Sequence, residues 1–210
     1  MKKKKYLLLL SILLFISCEH WNPAFRFSNF DNTSAEKIAQ AIKRNNIDAI
    51  REEIQTKRVD VNFKDSKYEI SLLALAIAND KKNAFDELLK LGANPNIENS
   101  YCGSPLKTAI RYNENCDLYF VKKLVAHDAE ILPEFFKKCN SYFDYDPIVR
   151  TILDYYEEDS VACGLEILEI LTSKLDNPNL LFLYNDSKNY RQNIVYTCLS
   201  THRNIPALKY

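Results

Sequence analysis

Between Ser71 and Asn96 the apolar residues fall into two short runs separated by a polar turn. Leu72, Leu73, Leu75, Ala76 and Ile77 make the first run, and Ala84, Phe85, Leu88, Leu89 and Leu91 recur at helical spacing in the second. The stretch closes on Gly92-Ala93-Asn94-Pro95-Asn96, a helix stop followed by a turn. The pattern predicts a helix-turn-helix unit whose apolar faces are too large for two short helices to cover alone. Neighbouring copies are therefore expected on either side.

A shift of 33 residues places Ser71 on Ser104, Leu73 on Leu106, Ala76 on Ala109 and Ile77 on Ile110. Backwards along the chain, Ile38, Ala41 and Ile42 fill the same slots, and Val59-Asp60-Val61-Asn62 fills the slot of the closing turn. Thr33 or Ser34 is the expected cap of that first unit, with Glu36 at capping distance from Thr33. Forwards, Asp146-Pro147-Ile148 and Leu175-Asp176-Asn177-Pro178-Asn179 mark a fourth copy, lengthened by an aromatic insertion at residues 133–145. A fifth begins near Asn193, with Cys198 in its small-residue slot, and runs out at Tyr210 inside its second helix. The expected spans are residues 33–64, 65–97, 98–132, 133–179 and a partial 180–210.

Ser104-Pro105-Leu106-Lys107-Thr108-Ala109 resembles the TPLHxA signature of ankyrin repeats, and Gly92-Ala93-Asn94-Pro95-Asn96 resembles their GADVN close. The resemblance covers residues 33–210 and is most specific in the second and third copies. It implies an all-α solenoid of stacked helix pairs joined by projecting finger loops, with a concave surface that meets a protein partner.

The front of the chain differs in kind. Lys2–Lys5 precede an apolar run from Tyr6 to Ile16 broken only by Ser11, the layout of an export signal over residues 1–17. The run is shorter than the about 20 residues that a membrane-spanning helix needs. Phe15-Ile16-Ser17-Cys18 resembles the lipobox of bacterial lipoproteins, which implies a lipid on Cys18 and residence in a bacterial cell envelope, anchored to a membrane by that lipid alone. Residues 18–32 read as a tether. Trp21, Phe25, Phe27 and Phe30 within it leave a second reading open, in which some of the rings pack on the first helix pair.

Composition narrows the function. The chain of 210 residues carries 28 basic and 28 acidic side chains. Removal of the four lysines Lys2–Lys5 from the 28 leaves 24 basic against 28 acidic, a net charge of −4 that disfavours nucleic acid. With 3 glycines and no phosphate-binding glycine motif, nucleotide cofactors are not expected. Cys18, Cys102, Cys116, Cys139, Cys163 and Cys198 show no zinc spacing. The register puts Cys102, Cys116 and Cys198 in separate places, so small incidental cysteines are expected in preference to a disulfide framework. His20, His127 and His202 belong to unrelated segments, and Glu157, Glu158 and Asp159 read as a solvated turn. No metal, no cofactor and no catalytic constellation is expected.

One column stands out. The residue three before each helix start is aromatic in every copy from the second onward: Tyr68, Tyr101, Phe143 and Tyr190. In the ankyrin arrangement this is the finger, so the rings either stack finger on finger and brace the array, or form an aromatic ladder for a partner. Phe135, Phe136 and Tyr145 of the insertion are auxiliary anchors in the second case. The functional expectation is a monomeric, non-enzymatic binder of an unidentified protein. An immunity-type lipoprotein that neutralises a toxin in the envelope and a structural envelope scaffold are the alternatives.

Overall fold

The computed structural model of the chain describes residues 22–100, 103–131 and 161–174. These residues form an all-α fold with seven α-helices and no strand; a lone antiparallel bridge joins Lys64 to Ser71. They fall into two compact units that divide between Asn94 and Pro95.

The first unit holds α1 (Glu36–Lys43), α2 (Ile47–Arg51, continued by a π turn over Glu52–Thr56), α3 (Leu72–Ala78) and α4 (Lys82–Lys90). α1 packs on α2 and α3 on α4, and the two pairs stack with α1 against α3 and α2 against α4. Local chemistry sets the helix limits. Ser71 Oγ accepts the Ala74 N–H at 3.2 Å, and Asn46 Oδ1 accepts that of Ala49 at 3.2 Å. Each pair turns on a single left-handed residue, Asn45 at φ 53° and Asp80 at φ 50°, residue types whose short polar side chains tolerate that region. Gly92 closes α4 at φ 90°, with its N–H on Leu89 O and that of Ala93 on Leu88 O.

The entry to α1 departs from the expected capping box. The helix begins after Ala35, and Thr33 Oγ1 accepts the Ala35 N–H at 3.2 Å while it donates to Phe30 O at 2.6 Å. Glu36 still reaches back, but to the N–H of Asn32 at 2.9 Å. Thr33 is thus spent on the incoming turn, because Phe30 is fully buried and its carbonyl has to be satisfied there.

Side chains tie the two pairs together. Asn45 Oδ1 accepts the Ala84 N–H at 2.9 Å, and Asn62 Oδ1 accepts the Asn94 N–H at 2.8 Å. Arg51 Nε donates to the buried Glu87 carboxylate at 2.9 Å, and this hydrogen bond, with the charge behind it, raises the Arg51 pKa above its ordinary value. Every residue of α3 is buried. A helix that is apolar all round needs cover on every side, and α4 and α1 supply only part of it.

The rest of the cover is the segment expected as a tether. Residues Pro23–Phe25 and Phe27–Phe30 form two consecutive 3₁₀ turns, the first packed on α3 and the second on α1. Ala24, Phe25, Phe27 and Phe30 are buried, so the packed reading holds for these rings. Asn22 Oδ1 accepts the Ala24 N–H, and Asn29 Nδ2 donates to the carbonyls of Pro23 and Ala24, both at 2.9 Å, which holds the two turns as one piece.

The second unit holds α5 (Pro105–Arg111), α6 (Tyr119–Ala126) and α7 (Val161–Thr172). Ser104 repeats the role of Ser71, its Oγ accepting the Lys107 N–H at 3.2 Å, and Pro105 stands at the first helical position, where no N–H is needed. Asn96 repeats the role of Asn62, its Oδ1 accepting the Glu130 N–H at 2.8 Å. The α5–α6 connection is longer than the other two, as the spacing of Asn113 to Asp117 predicts, and it carries Asn115 and Cys116 at positive φ.

That longer connection holds a bond the sequence reading did not anticipate: Cys116 and Cys163 form a disulfide, with Cα atoms 5.6 Å apart. The expectation of scattered, incidental cysteines is corrected here. Cys163 lies on α7, which packs against α6 and is also joined to it by the Lys122–Glu166 ion pair at 3.0 Å.

Two stability measurements follow. Ser71→Ala and Ser104→Ala each lower unfolding free energy by about 1 kcal/mol, the usual cost of an N-cap, read as a shift in urea midpoint at constant slope. Reduction, or Cys163→Ser, removes a crosslink between residues 47 apart, and chain entropy puts its contribution to the second unit at about 4 kcal/mol; non-reducing peptide mapping checks the pairing itself.

Candidate partner-binding surface

Of the aromatic column, Tyr68 lies among the described residues, in a tight loop between α2 and α3. The loop is built on Asp65, whose buried carboxylate accepts three backbone N–H groups: Lys67 at 2.9 Å, Tyr68 at 2.8 Å and Ile70 at 2.7 Å. Asp65 N–H in turn donates to Ile70 O, and Glu69 takes the left-handed conformation that lets the loop reverse. A carboxylate that satisfies three backbone donors is a structural residue; it fixes where the loop points.

On this base Tyr68 is half-buried, with the Lys67 ammonium 4.8 Å from its ring centre. Lys64 and Glu69 form an ion pair at 3.6 Å on the same loop. The ring is therefore held half-exposed at the surface by its own loop. Tyr101, Phe143 and Tyr190, the auxiliary Phe135, Phe136 and Tyr145, and the lipidation candidate Cys18 lie outside the described residues.

The next loop is held by a different device. Asn99 Oδ1 accepts the Gly103 N–H at 2.9 Å, and Asn99 N–H donates to Gly103 O at 3.0 Å. A Cβ on Gly103 would sit 2.8 Å from the Asn99 amide, so the glycine is what lets that side chain close the loop.

The first unit has one further concavity among those found, an open groove of about 340 Å³ between α1 and α2. Glu36, Lys37, Gln40, Arg44, Asn46 and Glu53 line it. Glu53 is buried and accepts a hydrogen bond from Lys57 at 2.6 Å, which, with Glu52, raises the Lys57 pKa above its ordinary value. Its charges are mixed, and Glu36, Asn46 and Glu53 are engaged in hydrogen bonds of the fold itself. Among the described residues no three His, Cys, Asp or Glu side chains converge as a metal site, and no helix is long and apolar enough to cross a membrane.

No family model matches the chain, and no curated protein matches it.

Sequence reasoning left the packing of residues 22–30 as one of two readings and missed the disulfide. The packed turns of residues 22–30 carry no helical or strand period, so periodicity is silent on them; three phenylalanines within six residues were the available signal. The disulfide gave no spacing signal, since Cys163 falls in the part of the chain where the register is loosest.

The Lys57 shift gives a pH prediction with a definite sign. A lysine whose folded pKa lies above its unfolded value stabilises fully below the unfolded pKa and loses that contribution as pH rises through the folded one. As pH rises above about 10.5 the wild type therefore loses more stability than Lys57→Met, read from thermal melts at increasing pH.

Proposed function

We propose that the chain is an exported, lipid-anchored member of the ankyrin-repeat type, a non-enzymatic module that binds a protein partner through its stacked helix pairs and their finger loops. The observation that carries this reading is the recurrence of one bond. Asn62 and Asn96, 34 residues apart, each accept a backbone N–H from the closing turn of the following helix pair. Ser71 and Ser104 recur as caps, and Arg58, Gly92 and Asp128 recur as left-handed helix stops. Local solutions that recur at about the same interval are the mark of a repeat array, and a preorganised repeat surface binds without ordering much of itself.

The Cys116–Cys163 disulfide supports export, since structural disulfides persist in oxidising compartments. It agrees with the charge layout of the first 17 residues. On this reading Cys18 carries the lipid, the folded body stands close to the membrane, and Tyr68 begins the row of finger aromatics that meets the partner.

Two experiments test the proposal separately. Growth with a clickable fatty acid labels the full chain, and Cys18→Ser abolishes the label and leaves the signal uncut; a labelled Cys18→Ser variant refutes the anchor. For the binding surface, Tyr68→Ala and Tyr101→Ala weaken capture of the envelope partner about tenfold or more with melting temperature unchanged, the signature of an aromatic hot spot. Intact binding with a melting drop of several degrees means that the rings only brace the array.

A further inference from the structure

In the first unit, the face of α1 and α3 not taken by α2 and α4 carries a passenger: residues 22–30 of the same chain. The contact is specific. Asn79, at the C-terminal end of α3, donates its side-chain amide to Phe25 O at 3.1 Å. Lys43, at the end of α1, places its ammonium 5.7 Å from the centre of the Phe27 ring. Phe30 is fully buried, its ring 6.1 Å from that of Phe63. All three aromatics, at i, i+2 and i+5, are buried.

The helices are composed for this passenger. Ala35, Ala39 and Lys43 lie on one row of α1, and Ala74 and Ala78 of α3 occupy the register slots of Ala39 and Lys43. Small side chains let a backbone approach closely, and Ala35, Ala39, Ala74 and Ala78 are all buried. In the third copy the same two slots hold Lys107 and Arg111, which suit water. One slot is thus alanine in the first two copies, at Ala39 and Ala74, and lysine in the third at Lys107, while the other is Lys43, Ala78 and Arg111.

Much of the passenger's bonding is internal. Phe25 N–H donates to Asn22 O, Asn29 N–H to Arg26 O and Asp31 N–H to Ser28 O, and Asn29 clamps Pro23 and Ala24 from within, while Asn79 donates to Phe25 O and Thr33 to Phe30 O. The passenger brings a preformed shape to the groove and adds no strand or helix to the fold around it. Aromatic anchors on a prefolded short segment are the usual makings of a peptide ligand.

We infer that the α1–α3 face is a peptide-binding groove and that residues 22–30 are its intramolecular ligand, a strap that must leave before an outside segment of the same chemistry can enter. The partner class that fits is a short peptide segment with aromatics at i, i+2 and i+5 and an unpaired carbonyl at the first aromatic for Asn79. This deepens the protein-binding reading and rests on it only for the outside competitor; strap exchange is measured with no partner, so the two fail independently.

The test uses the full chain with a specific protease site inserted between Asp31 and Asn32, cut after folding. The strap stays with the body through gel filtration, and a fluorescent synthetic peptide of residues 22–31 replaces it saturably. The same peptide with Phe25→Ala and Phe27→Ala competes at least tenfold worse. In a second measurement the uncut wild type takes up little peptide, whereas the uncut Phe25→Ala, Phe27→Ala variant takes it up. The inference is overturned if the released strap fails to rebind a body that is still folded, if the body unfolds once the strap departs, or if uncut wild type and variant bind the peptide equally.

Discussion

The constraint on which the structure depends is that two helices of seven to nine residues cannot hide their own apolar faces. α3 states it most sharply, with seven apolar residues in a row and every one buried. Its own partner α4 covers one side, α1 covers another, and the 3₁₀ turns of residues 22–30 cover what remains. Stacking and strapping are two answers to the same demand, and the chain uses both.

Polar groups then fix how the pairs meet. In the first unit the asparagine bonds from Asn45 and Asn62 satisfy backbone donors that its stacked helix pairs would otherwise leave to water, and within the second unit Asn96 repeats the bond of Asn62. The Arg51–Glu87 bond does the same for a buried carboxylate between α2 and α4. In the second unit a covalent bond takes on part of this task, where the connection from α5 to α6 is long and α7 is joined to it by Cys116 and Cys163. Each device limits one degree of freedom, so the loops that carry Tyr68 and Asn99 stand on a fixed base.

Much of the fold was legible because its signals are local. Ser71 and Ser104 each cap a helix, Gly92 ends one, and the apolar slots at Ile38, Leu73 and Leu106 recur from one copy to the next. The strap was not legible as structure, because 3₁₀ turns bury side chains without a period of 3.6 or 2 to betray them. A change at one matching slot, from Ala39 and Ala74 to Lys107, was nevertheless in the sequence. The disulfide depended on contacts made across a long interval, where the register carries no information about which cysteines meet. For the aromatic column, the loop geometry at Asp65 explains why Tyr68 is held half-exposed, which sequence spacing alone does not give.

On the proposed reading the strap is a separable piece, and α3 stays folded when it leaves. Hydrogen exchange on the full chain measures this directly. The amides of Phe25, Asn29 and Asp31 are expected to exchange about tenfold or more slower than free chain, yet faster than those of α3, and Phe25→Ala with Phe27→Ala frees them while α3 keeps its protection. Exchange of the strap and α3 at one common rate, or loss of α3 protection in that variant, contradicts the account.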